Sequence, residues 1–157
     1  MPAAAARLGK LGRVLRLSKV YASRAVGPPG QPDFLNAAAL IETELSPEEL
    51  REGMRRIEAD LGRLRSADKF APRPIDLDLI LYDNLVTDAA TFRIPDPALL
   101  ERPYLAVTAA EVDPERLHPV TGERLAALAA RLASSGGLSL IGDVLLRQAC
   151  ADERPEP

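Results

Sequence analysis

Ile75-Asp76-Leu77-Asp78-Leu79-Ile80-Leu81-Tyr82 is the stretch on which the reading of this chain turns. Successive side chains of a β-strand point to opposite faces, so a strand over 75–82 sets Ile75, Leu77, Leu79 and Leu81 on one face. Asp76 and Asp78 then share the other, roughly 7 Å apart. Aspartate is depleted in strands, and two like charges side by side on an apolar strand are unfavourable unless a cation lies between them. Hard cations such as Mg2+ take one or two carboxylates and complete their shell with substrate phosphates. Asp76 and Asp78 are therefore read as metal ligands. The plainer alternative is a half-exposed strand whose aspartates face solvent or pair with nearby arginines.

Working outward, the segment just upstream is basic. Arg51, Arg55, Arg56, Arg63, Arg65, Lys69 and Arg73 cluster over 51–73, and 63–74 carries two prolines, which predicts a loop. Phosphoryl transfer asks a protein mainly to position phosphates and neutralise their charge, work that Arg63, Arg65, Lys69 and Arg73 can do beside a metal. Any one of them alone reads equally well as a solvated loop residue. No Gly-rich phosphate loop is present, so a nucleotide would be held by side chains and metal.

Before the loop, Ser46-Pro47-Glu48-Glu49 supplies an N-cap, a proline at the first helical position and a capping-box glutamate. Leu50, Met54, Ile57 and Leu61 follow at helical spacing and Gly62 is a stop. Further upstream, Leu35, Ala37, Ala39, Ile41 and Leu45 alternate with Phe34, Asn36, Ala38 and Leu40, predicting one strand. Gly27-Pro28-Pro29-Gly30-Gln31-Pro32 is a loop joining it to an earlier strand through Leu15, Leu17, Val20 and Tyr21, itself preceded by a short helix. Downstream, 103–112 and 123–133 read as helices, 138–146 as one or two strands, and 149–157 as a disordered tail. The expectation is a single two-layer α+β domain over 1–148 with an antiparallel sheet.

At 157 residues, with 46% hydrophobic residues, the chain can bury a core without staples. A formal net charge of −3 argues against a general nucleic-acid binder, and no apolar run is long enough for a membrane span or a secretory leader. Cys150 is the single cysteine and His118 the single histidine, which excludes an intramolecular disulfide, a zinc cluster and a histidine dyad; His118, in Leu117-His118-Pro119-Val120-Thr121-Gly122, is read as a turn residue. A reducing cytoplasmic setting is expected, with no membrane or nucleic-acid partner; the oligomeric state stays open.

Lys69-Phe70-Ala71-Pro72-Arg73-Pro74-Ile75-Asp76-Leu77-Asp78 resembles the signature segment of the 6-hydroxymethyl-7,8-dihydropterin pyrophosphokinases, Pro-Arg-x-x-Asp-Leu-Asp followed by apolar residues. Gln31-Pro32-Asp33-Phe34-Leu35-Asn36 is similar to that family's pterin-side segment, and Ile57-Glu58 and Gly62-Arg63-x-Arg65 fall at its intervals. The resemblance runs over about 14–128. It implies a ferredoxin-like α+β sandwich that transfers pyrophosphate from ATP to a dihydropterin, with two magnesium ions on Asp76 and Asp78. Arg63 and Arg73 would contact the transferring phosphates, and Glu58, Arg65, Lys69, Arg93 and Arg102 the nucleotide. Ser23, Val26, Phe34, Asn36, Phe70 and Tyr104 would surround the pterin, whose flat ring calls for aromatic faces and paired donors and acceptors. Taken singly, Phe34 or Tyr104 reads as core, Asn36 as a loop tie, and Glu58 as an intrahelical partner of Arg55.

Two features depart from the family pattern. Its opening central strand and Gly-Ser-Asn-Leu-like turn have no counterpart, since Met1 aligns inside the first helix; the expectation is a sheet lacking that strand. Ile94-Pro95-Asp96-Pro97 replaces the usual Pro-His, and Asp96 is expected to repel phosphate. Two further readings stay open: a truncated, inactive relative that binds pterin or nucleotide or serves as an assembly partner, and a small RNA-binding domain.

Overall fold

The structure, a computed structural model, describes residues 2–24, 33–62, 75–89, 91–134 and 136–142. Helix α1 (Pro2–Leu8) leads into β1 (Arg13–Leu17), β2 (Val20–Ser23), β3 (Phe34–Asn36) and β4 (Ala39–Glu42), followed by α2 (Pro47–Asp60). The short strands β5 (Thr87–Ala89) and β6 (Phe92–Ile94), a 3-10 turn (Pro97–Leu100), α3 (Pro103–Val112), α4 (Leu125–Ala133) and β7 (Leu138–Gly142) complete the described elements. Mixed helices and antiparallel sheets make this an α+β arrangement.

The two strands expected before α2 each appear in two pieces. β1 pairs with β4 and β2 with β3, both antiparallel, so the four form one hairpin interrupted at the same level on both arms. Ser18, only 3% exposed, marks the break. Its amide donates to Ala38 O at 2.9 Å. Its hydroxyl accepts from Ala38 N at 2.8 Å and donates to Lys19 O at 2.8 Å. A side-chain oxygen thus stands in for a ladder carbonyl, the competition with backbone pairing that serine offers. β7 adds to the other edge of β2, giving the order β3-β2-β7; residues 143–146 lie outside the described set.

Alternation along the hairpin sends its side chains to two helical neighbours. Val20, fully buried, packs with Ala5 of α1, Leu17 and Ala37. The neighbouring residues point the other way, Arg16 donating to Val112 O at 3.2 Å and the Tyr21 hydroxyl to Glu111 Oε1 at 2.6 Å, so α3 lies on the opposite face.

Helix α2 begins as its sequence dictates. Ser46 caps it, Glu49 N donates to Ser46 Oγ, and Glu49 Oε2 accepts from Ser46 N at 2.9 Å. Its buried face carries Leu50, Met54, Ile57 and Glu58, and Gly62, at φ +89°, takes the left-handed conformation that ends helices. The main apolar cluster joins Leu99 to Ala106 and Ala109 of α3 and Leu125 and Leu128 of α4, with Ile80 and Leu81 packed against it.

Residues 75–82 depart from expectation: they join no ladder among the described strands. Their backbone is held by other partners. Leu77 N donates to Glu58 Oε1 at 2.7 Å, and Ile80 O accepts from Asp96 N at 2.9 Å. The alternation survives nonetheless, Asp76 and Asp78 exposed and Ile75, Leu77 and Leu79 partly covered. The β5–β6 hairpin was not anticipated; it is tied to α2 by Arg51, whose guanidinium sits 4.6 Å from the centre of the Phe92 ring. No described helix is long and apolar enough to cross a membrane.

His118 is a turn residue, as its context suggests. It is 2% exposed, and its Nδ1 accepts from Val120 N at 3.3 Å and Thr121 N at 3.2 Å. Burial holds the imidazole below its ordinary pKa of 6.5, with Glu123 partly opposing.

Two outcomes follow. Ser18→Ala leaves the Ala38 amide without its acceptor and should cost about 1–3 kcal/mol in urea unfolding with an unchanged m-value. Because the folded state binds the His118 proton less readily than the unfolded chain, stability from this group is full above the ordinary pKa and declines below it. The urea midpoint should therefore drop more in the native protein than in His118→Gln between about pH 7 and about pH 5.5.

Candidate active site

On the strand side, β2 and β3 bring Ser23, Phe34 and Asn36 to one face, with Ser23 opposite Phe34 and Tyr21 opposite Asn36. The Asn36 amide nitrogen donates to Ser23 Oγ at 2.9 Å, Phe34 O at 3.1 Å and Tyr21 O at 3.3 Å. That fixes the amide plane and leaves its oxygen with no donor among the described residues. Phe34 is 50% exposed, an aromatic face beside a fixed amide. This is the equipment that a flat ring with an amide-like edge requires.

On the helix side, Glu58 does what the sequence did not reveal. Rather than pairing only within α2, it is 6% exposed and accepts the Leu77 amide, holding Asp76 and Asp78 outward on either side. Arg55 instead lies 3.8 Å from Glu52. Tyr104, in the first turn of α3, lies within electrostatic reach of the same carboxylates. Its hydroxyl pKa is raised chiefly by burial, with Arg102 opposing and Asp78, Asp96 and Asp76 adding to the rise. Asp76, Asp78, Asp96, Arg102 and Tyr104 thus share one electrostatic neighbourhood.

The turn carrying Asp96 also has a local explanation. Its Oδ1 accepts from Ala98 N at 2.8 Å, capping the 3-10 turn with Pro97 at the first position. Asp-Pro before an apolar run was the legible signal for that role. Arg93 is held by Asp88 at 2.6 Å on the β5–β6 hairpin. Val26, Arg63, Arg65, Lys69, Phe70 and Arg73 lie outside the described residues.

Asp76 and Asp78 suit magnesium by donor type. Among the described residues no group of three His, Cys, Asp or Glu side chains could cage an ion. Two exposed carboxylates match an ion that takes few protein ligands and completes its shell with phosphates and water.

A family model described as 7,8-dihydro-6-hydroxymethylpterin-pyrophosphokinase matches residues 1–114. The chain belongs to this family. It is 40% identical over 112 residues to the 2-amino-4-hydroxy-6-hydroxymethyldihydropteridine pyrophosphokinase of Synechocystis, covering 71% of this chain and 56% of that protein. It is 32% identical over 114 residues to the protein of the same name from Aquifex aeolicus, covering 73% of this chain and 71% of that one. A folic acid synthesis protein of Pneumocystis carinii is 36% identical over 114 residues, 73% of this chain but 15% of that protein. The chain thus spans about half the length of the first of these pyrophosphokinases and a small part of the fungal protein.

If Glu58 anchors the aspartate segment, Glu58→Ala should strip the Leu77 amide of its protection from hydrogen exchange and cost about 1–3 kcal/mol of stability. Glu58→Gln, which keeps an acceptor oxygen, should retain most of that protection.

Proposed function

We propose that this pyrophosphokinase family member transfers the pyrophosphoryl group of ATP to the hydroxymethyl oxygen of 6-hydroxymethyl-7,8-dihydropterin, releasing AMP, as a step of folate synthesis in the cytoplasm. The observation that carries the reading is the outward pair Asp76 and Asp78, held by a buried Glu58 beside Tyr104 and Arg102. Asn36 and Ser23 would bind the amide edge of the pterin, with Phe34, Tyr104, Phe70 and Val26 covering its faces. Arg63, Arg65, Lys69, Arg73 and Arg102 would orient the triphosphate, and Arg93 would join them only by leaving Asp88. Magnesium on Asp76 and Asp78, two ions in this reading, would supply neutralisation of the phosphate charge.

With the substrates so placed, the acceptor oxygen would form a bond to the β-phosphorus as the bond from that phosphorus to the AMP oxygen breaks, the hydroxyl proton passing to solvent. The protein contributes position and charge rather than a covalent step. In the same reading, the hairpin, α2 and 75–82 are the β-β-α-β part of a ferredoxin-like domain over 1–148. The antiparallel hairpin and the alternating exposure of 75–82 support this.

The test is AMP formation from ATP and magnesium, with and without the dihydropterin. Dihydropterin-dependent AMP release is expected, falling about 100- to 1,000-fold or more in Asp78→Asn. Folded protein that binds dihydropterin without releasing AMP would favour a non-catalytic binder instead.

A further inference from the structure

Helix α3 carries two groups of the candidate site at its start, Arg102 as N-cap and Tyr104 in the first turn. Nothing assigned to the site explains what fixes the position of this helix against the strands bearing Ser23, Phe34 and Asn36. The stripe Tyr104, Thr108, Glu111 follows the i, i+4, i+7 spacing of one helix face. Its middle member is 3% exposed and bonds back to Tyr104 O at 2.7 Å. Its last member grips the hairpin. Glu111 Oε1 accepts from the Tyr21 hydroxyl at 2.6 Å, Oε2 accepts from Lys19 N at 2.8 Å, and Lys19 Nζ lies 3.4 Å from Oε1.

We infer that Glu111 is a positioning residue of the acceptor site, clamping α3 to β2 so that Tyr104 is held at a set distance from the face of Ser23, Phe34 and Asn36. The inference rests on the pterin reading of that face. Seven residues along a helix is about 10.5 Å, so a small tilt about the Glu111 end displaces Tyr104 directly. Tyr21 links the two parts from the strand side as well, because it stands opposite Asn36 in the ladder and its carbonyl accepts from the Asn36 amide. The Tyr21 hydroxyl pKa is pushed up to about 12 by burial and then by Glu111. Burial works to raise Glu111, but the Tyr21 and Lys19 hydrogen bonds and the Lys19 charge outweigh it, so Glu111 stays a carboxylate accepting from both.

The experiment compares steady-state kinetics of Glu111→Ala, Tyr21→Phe and Glu111→Gln. Arg131→Ala, which breaks an exposed ion pair from α4 to Glu123, serves as a control for stability alone. Glu111→Ala should raise KM for the dihydropterin about 10- to 100-fold while lowering kcat less, with Tyr21→Phe moving the same way and Glu111→Gln, still an acceptor, restoring part of the loss. Should Glu111→Ala not fold, Tyr21→Phe decides, since it removes one hydroxyl and keeps the ring. An unchanged KM in the folded variants, or an equal rise in Arg131→Ala, overturns the inference. If the native protein turns over and Phe34→Ala raises KM while Tyr21→Phe and Glu111→Ala do not, only the clamp is wrong. If the native protein neither binds nor turns over dihydropterin, the pterin reading falls and the clamp with it.

Discussion

A carboxylate withdrawn from water is costly unless its oxygens are hydrogen-bonded, and a backbone amide outside any ladder needs an acceptor equally badly. The bond from the Leu77 amide to Glu58 meets both needs at once. Its consequence is directional. Once Leu77 is turned toward α2, alternation turns Asp76 and Asp78 outward, and the grip of Ile80 and Leu81 on the α3–α4 cluster holds the far end of the segment. The Ile80 carbonyl then takes the Asp96 amide and brings the capped turn alongside. That buried bond, the packing of Ile80 and Leu81 and the Asp96 amide together hold the segment that carries Asp76 and Asp78.

The hairpin imposes the second constraint. A continuous two-stranded ladder would have kept its twist uniform, whereas the Ser18 break lets β2 and β3 part from β1 and β4 without leaving the Ala38 amide bare. β2 can then serve β3 on one edge and β7 on the other. Its buried face, Val20 and Ala22, meets the α1 side, and its polar face, Tyr21 and Ser23, is left for α3 and the Asn36 network. Apolar packing and polar hydrogen bonding are thus divided between the faces of one four-residue strand.

Much of this was written locally in the sequence. The α2 capping box, the Gly62 stop, the α3 span and the outward pair Asp76 and Asp78 depend on residues a few positions apart, and each is present. What escaped depends on partners remote in sequence. The ladder pairing expected of 75–82 requires a neighbouring strand, which periodicity cannot supply. Glu58 lies 19 residues from Leu77 and Glu111 lies 90 from Tyr21, so no spacing rule connects either pair. The break at Ser18 shows in the sequence only as a shift of apolar phase, from Leu15 and Leu17 to Val20 and Ala22, which a single continuous strand does not account for. Of the residues expected at the site, Ser23, Phe34 and Asn36 meet on one face and Asp76, Asp78, Arg102 and Tyr104 in one electrostatic neighbourhood; Arg93 is engaged by Asp88.

The charges about Tyr104 also bear on Asp96. A carboxylate at position 96, added to Asp76 and Asp78, opposes a polyphosphate by its charge. Capping moderates this for Asp96, since its Oδ1 is bound to Ala98 N and the charge sits at the positive end of the 3-10 turn. In the proposed reading, divalent cations between the phosphates and Asp76 and Asp78 would make this exposed pair favourable toward ATP. In the same reading, a carboxylate at position 96 would shift the holding of the triphosphate onto metal, Arg102 and the basic residues of 63–73, and nucleotide affinity would depend more steeply on magnesium than with a neutral donor in that turn.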